Sequence, residues 1–302
     1  MNTGQAAPRW LDAREILADE GHARVEQAML LDDVLGLADH LSATFTPVTN
    51  VPIKLNGQLA ALVALESGLF GHLRSLRAAI ADGRIQDVEA LLRTLEEIRK
   101  RAIIAVDDPT VAERFAKNEE FGSASIDDMY EKVMRAKKRG RSEAQRSQAR
   151  DVFGKQSSIL HAQHAGLQFL ADVRDGGTVI TRSPVAGRLE DRGREAALHA
   201  VASAAFAAGY LVPKILEAHA IPDAEWHRRF NEVSEGLDLA ARPYAARRLL
   251  REQHPEWSVE VDAIGQLRVN GDVVLIEDGD LAEAPPTEAS EPTSHPVDAP
   301  PA

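Results

Sequence analysis

The chain contains no cysteine. Disulfides, thiolate zinc sites, iron–sulfur clusters and cysteine nucleophiles are therefore excluded together. Aromatic residues are scarce, at 5%, so a core has to rest on Leu, Ile, Val and Ala. That mixture favours helices, because Ala and Leu lose little on entering one, whereas β-rich cores draw on β-branched and aromatic residues. Positive charge is also short: 35 Lys and Arg stand against 47 Asp and Glu, a net −12 over 302 residues. Whole-surface attraction to nucleic acid or anionic lipid is disfavoured, although a local basic patch is not. Strongly apolar runs of membrane-spanning length are missing too. The nearest, Ala196 to Val212, is built on Ala and carries His199 and Ser203, which fits a helix with a small-residue face better than a span. The opening Met1-Asn2-Thr3-Gly4-Gln5 lacks the pattern of a signal peptide, and a cytoplasmic location is expected. Arg outnumbers Lys and Ala is abundant, which points to a bacterial source.

What is present is helical periodicity. Leu59, Leu62, Glu66, Leu69, Leu73, Leu76 and Ile80 follow a 3–4 spacing, the seam of a packed or coiled-coil helix. Asp82-Gly83-Arg84 reads as a turn. Ile85, Val88, Leu92, Leu95, Ala102 and Ile103 then mark a second face ending near Asp108-Pro109. Together they predict an antiparallel αα-hairpin. Before it, a short helix over 10–18 and another from about 22 to 41 are expected, with Thr44 to Pro52 an extended linker because of Pro47 and Pro52. After it come a short helix from Val111 to Lys117, one capped by Ser125, and a long helix from about 142 to 173. Helices near 188–208, 212–219, 224–233 and 244–253 follow. Near Trp257 the period changes to alternation, and Asn270-Gly271 is a two-residue hairpin turn, so a three-stranded meander is expected.

The fold class is thus mainly α: a helical bundle with a long hairpin, a small C-terminal β-meander and a disordered tail. The organisation divides into 1–9, disordered; 10–175, the hairpin and charged helix; 176–277, Ala-rich helices and the meander; and 278–302, acidic, Pro-rich and expected to be disordered.

Two stretches carry candidate chemistry. Lys132, Arg135, Lys137, Lys138, Arg139, Arg141, Arg146, Arg150 and Lys155 face only Glu143 and Asp151. Such a run neutralises phosphates, contacts an acidic protein surface, or merely keeps a helix solvated. Arg247, Arg248 and Arg251 lie on a helix just before the meander, the outline of a winged helix or of a small α+β cap. His161 and His164, three apart, with Asp172 further along, form the one metal-like spacing; surface histidines are the plainer alternative. Glu96-Glu97 and Asp107-Asp108 are adjacent pairs that diverge on a helix and read as solvated charges. There is no Gly-x-Ser-x-Gly elbow and no phosphate loop. No cofactor is expected. The expected function is a non-enzymatic helical adaptor or scaffold that meets another protein, or itself, through amphipathic helices. The alternative is nucleic-acid binding through 132–155, with or without the C-terminal module. An enzyme whose site converges only in space is the third class.

Overall fold

A computed structural model describes residues 25, 28–49, 57–82, 84–117, 123–137, 142, 171–174, 178–181 and 191–276. The helices are α1 (Asp32–Thr49), α2 (Gly57–Ala81), α3 (Ile85–Asp107), α4 (Pro109–Ala116), α5 (Ser123–Ala136), α6 (Asp191–Ala218) and α7 (Ala224–Gln253). The strands are β1 (Ala171–Arg174), β2 (Thr178–Thr181), β3 (Val259–Val261), β4 (Leu267–Val269) and β5 (Asp272–Val274). The expected helices over 10–18 and most of 142–173, and the segments 1–9 and 278–302, lie outside the described residues.

The predicted hairpin is present. Every member of the Leu59–Ile80 stripe is buried in α2, and Val88, Leu92, Leu95, Ala102 and Ile103 are buried in α3. Gln58 at the start of α2 donates to the carbonyl of Ala105 near the end of α3 at 2.8 Å, so the two helices run antiparallel. Asp108 ends α3 and caps α4: its carboxylate accepts from the Thr110 and Val111 amides while Pro109 occupies the first turn.

At the centre stands α6, packed against α1, α2, α3 and α7. Its buried face is small: Ala197, Ala200, Ala204, Ala205, Ala207 and Ala208, with Val201, Leu211 and Ile215 between or beyond them. Alanines let neighbouring axes approach closely, and the side chains of the surrounding helices fill the space. Helices α2 and α6 are each long and apolar enough to cross a membrane, yet both pack into this bundle, α6 with two-thirds of that window buried.

Three sequence expectations fail at proline or glycine. Helix α1 continues to Thr49 through the expected linker, because Phe45 is fully buried and Thr44 folds its hydroxyl back onto the Leu41 carbonyl at 2.6 Å. Helix α6 runs unbroken past Pro213, held by the fully buried Leu211, Val212 and Ile215 on both sides of it. Helix α7 is one 30-residue helix through Gly236 and Pro243. An interior proline costs about 3 kcal/mol, and burial of Trp226, Val233, Tyr244 and Ala246 on both sides of it offsets that. Neither glycine breaks a helix here. A Cβ on Gly236 would come within 2.5 Å of the Leu37 side chain of α1, and one on Gly209 within 3.2 Å of the Phe230 ring of α7. They mark where α7 crosses its neighbours.

The remaining differences are local. Helix α5 begins at Ser123, two residues ahead of the expected cap. Residues 171–174 are the strand β1, paired antiparallel with β2, rather than the end of a long helix. Val173, Thr178, Val179, Ile180 and Thr181 are β-branched, and a ladder suits them better than a helix terminus.

The meander forms as expected, in the order β3-β4-β5. Asn270 and Gly271 both have positive φ, 52° and 94°, the conformation of a type I′ turn. Val259, Val261 and Leu267 are buried in the same core as the helices, so the sheet is a cap on the bundle.

Glu66 sits within the apolar stripe, 2% exposed, with its Oε1 lacking a hydrogen-bond partner. Burial pushes its carboxyl up to about 7, against a small lowering from the Ser67 hydroxyl. Below about pH 7 the folded state therefore holds the neutral acid. Stability is full below the usual 4.5 and falls by up to about 3 kcal/mol as the pH rises through about 7. Denaturant titration should show this slope in the parent and its absence in Glu66→Gln, which should be the more stable chain at pH 8. In the same assay Leu73→Asp should lose about 4 kcal/mol, since it buries an unpaired charge where Leu73 is fully enclosed.

Candidate functional site

Three places bring polar chemistry together. The first is the seam between α3 and α6. His199 and Ser203 are four apart and so share a face of α6, and Glu96 of α3 meets both. The Ser203 hydroxyl donates to Glu96 Oε1 at 2.5 Å, His199 Nε2 lies 3.4 Å from that oxygen, and Arg99 donates to Oε2 at 2.5 Å. Burial alone would raise this carboxyl. The His199 hydrogen bond, the Arg99 charge and the Ser203 hydroxyl outweigh burial and hold it at about 2. A serine, a histidine and a carboxylate are thus adjacent, but in an order that activates nothing. The serine is buried and bound to an anion too weakly basic to take its proton, and the histidine does not stand between them. The cluster is a latch across the seam.

This corrects the reading of Glu96 as a solvated charge. Asp107 likewise pairs with Lys137 at 3.0 Å, and Asp108 is the cap of α4. A polar pair at i and i+4 on an otherwise alanine-lined face was the available signal for His199 and Ser203.

The second place is α5 and the basic run that follows it. Helix α5 docks on α3 through a small separate core of Ile103, Ile104, Ile126, Tyr130 and Met134, reinforced by Lys100 on Asp127 at 2.5 Å. Lys137 turns inward, onto Asp107 and over the Tyr210 ring at 5.7 Å. Lys132 and Arg135 are exposed. Lys138, Arg139, Arg141, Arg146, Arg150 and Lys155 lie outside the described residues, as do His161 and His164. Asp172 is in β1, paired with Ile180, so it does not continue a helical stripe from those histidines. Among the described residues no three His, Asp or Glu side chains are placed to hold a metal ion.

The third place is a groove of about 490 Å³ between α6 and α7, lined by Glu195, Tyr244, Ala245, Arg247, Arg248, Arg251 and Glu252. The three arginines expected from the sequence do converge. Their duties differ, however. Arg247 pairs with Glu195 at 2.6 Å and lies over the Tyr244 ring. Arg251 donates through Nε to the Val259 carbonyl of β3 at 2.9 Å. Arg248 is exposed. Among the described residues, Lys137 and Arg247 sit at separate places along α6. Arg247 is tied to Glu195 and Lys137 to Tyr210, positions 15 residues apart on α6, or roughly 22 Å along its axis.

Comparison with protein-family models, with characterised protein sequences and with solved structures gave no match.

Function therefore has to be argued from surface chemistry, and the meander supplies the clearest exposed apolar surface. Trp257, Ile264, Val273, Val274 and Leu275 are large hydrophobics left exposed there. The sheet has two edges. The outward carbonyl of β3, at Val259, is capped by Arg251. On β5 the type I′ turn makes Val269 and Asp272 a hydrogen-bonded pair, so the alternation of an antiparallel ladder leaves the Val273 N–H and C=O pointing away from β4.

The latch yields a pH signature opposite to that of Glu66. A carboxyl held at about 2 contributes stability above the usual 4.5 and loses it as the pH falls towards 2. Glu96→Gln should cost about 2 kcal/mol at pH 7 and little at pH 2, read by denaturant titration at both values.

Proposed function

We propose that this chain is a non-enzymatic, cytoplasmic interaction protein, an adaptor or scaffold, which receives an extended strand of another protein along β5. The supporting observation is the β5 edge at Val273, unpaired among the described residues, with its exposed apolar neighbours, on a sheet fixed to the bundle core. Edge pairing supplies backbone hydrogen bonds, and alternate side chains supply specificity. The α2–α3 stripe, the first choice from sequence for meeting a partner helix, is consumed inside the bundle. That favours the edge over helix-mediated contact.

The test is Val273→Pro. Its N–H faces away from β4, so proline there removes the outward donor without breaking a bond of the meander. The variant should melt within a few degrees of the parent yet lose a partner that the parent retains in quantitative pull-downs. Identical capture by both chains would end this reading.

Nucleic-acid binding is the second reading. It is favoured by Lys132 and Arg135, exposed and without an ion pair among the described residues, where α5 leads into Lys138, Arg139 and Arg141. Fluorescence anisotropy with duplex and single-stranded oligonucleotides at two salt concentrations decides it. Alanine at these five positions should flatten the salt dependence by roughly one unit per lost phosphate contact. Lys137 is left intact, because it holds α5 to Asp107. A parent chain that binds neither oligonucleotide at low salt removes the reading, since screening is weakest there.

A further inference from the structure

The groove between α6 and α7 is built as an anion grip. Arg248 and Arg251 are three apart on one helix, so their side chains leave the same face with Cβ atoms about 5–6 Å from each other. Among the described residues neither carries an ion pair. Arg251 is steered by the bond from its Nε to Val259, which leaves its two Nη groups for another acceptor. The neighbouring Arg247 is already neutralised by Glu195 and stacked on Tyr244. It lines the groove and occupies Glu195. Glu252, four residues after Arg248, makes no ion pair with it among the described residues.

We propose that this groove binds an extended acidic peptide of a partner protein, with carboxylates two residues apart seated on Arg248 and Arg251. In an extended chain, alternate side chains point the same way about 6.6 Å apart, close to the spacing of the two arginines. Each guanidinium presents a planar fork that suits a carboxylate. The size of the groove selects peptide over a nucleic-acid duplex. A volume of about 490 Å³ takes a few side chains and has no room for a duplex.

The test uses the full chain and a labelled peptide alternating Glu and Ser, with fluorescence anisotropy as the readout. Binding should weaken as salt rises. Arg248→Glu should reduce the affinity at least tenfold, or about 1.4 kcal/mol, with the melting temperature unchanged because Arg248 is exposed. A peptide with the same number of glutamates spaced three apart should bind several-fold more weakly. The Val273→Pro chain should bind like the parent, so loss of the β5 reading and loss of this one are separable. The proposal is overturned if the alternating peptide fails to bind at low salt, or if Arg248→Glu binds it as well as the parent. It is overturned equally if a duplex oligonucleotide displaces the peptide at lower concentration than unlabelled peptide does. A fourth outcome also overturns it: binding that appears only in a chain ending at Ile276. Residues 277–302 hold seven acidic side chains and no Lys or Arg, and the groove would then belong to this chain's own terminus.

Discussion

The fold depends on how closely helices can approach α6. Its alanine face has little volume, so α1, α2, α3 and α7 all come near enough to share one core. A larger residue at Ala200 or Ala204, both fully enclosed, would push two helices apart at once. Overpacking of that kind costs about 1–3 kcal/mol even where the chain can adjust. The same closeness recurs at the edges of the bundle, where Gly209 meets Phe230 and Gly236 meets Leu37. Small residues thus set the geometry, and the large ones on surrounding helices fill what is left.

Around that centre two buried groups, Arg194 and Glu66, and the half-buried Glu96 are handled in three ways. Arg194, 5% exposed, ties together distant parts of the chain: it donates to the Leu30 carbonyl at 3.1 Å and to Asp33 at 3.0 Å. Gly265, at φ +83°, lies directly against its guanidinium, and a Cβ there would come within 2.7 Å of Nε. One side chain of α6 therefore fixes both the start of α1 and the β3–β4 turn. Glu96 stays ionised through its ring of donors. Glu66 has no such ring and is neutral below about pH 7. Removing one partner of a buried charge is more disruptive than never having had the pair, which makes Asp33 as important as Arg194 itself.

Much of the architecture was legible from periodicity. The α2 stripe and the α3 face are buried as their spacing implies, and Asn270-Gly271 forms its turn. These are local patterns in which propensity and burial agree. Where they disagree, burial decides. The breaks expected at 209–211 and between 233 and 244 do not occur, because apolar residues on either side of each reach a common core. The candidate site was legible in part. Arg247, Arg248 and Arg251 do gather in one groove, but their unequal roles depend on Glu195 and Val259, which are remote in sequence. The Glu96 latch was legible only on its α6 side, as the polar pair His199 and Ser203, because Glu96 lies more than 100 residues away from them.

The central place of α6 also has a consequence in time. Chain elongation proceeds at about 5–20 residues per second. The α2–α3 hairpin is complete at Asp107, whereas α6 ends at Ala218. Roughly 5 to 20 seconds therefore pass on the ribosome with the hairpin's second apolar surface uncovered. Nascent chains in that interval are open to helix-binding chaperones and to one another. A pause in translation after the hairpin would lengthen the exposure, so slow codons should be better tolerated beyond α6 than before it.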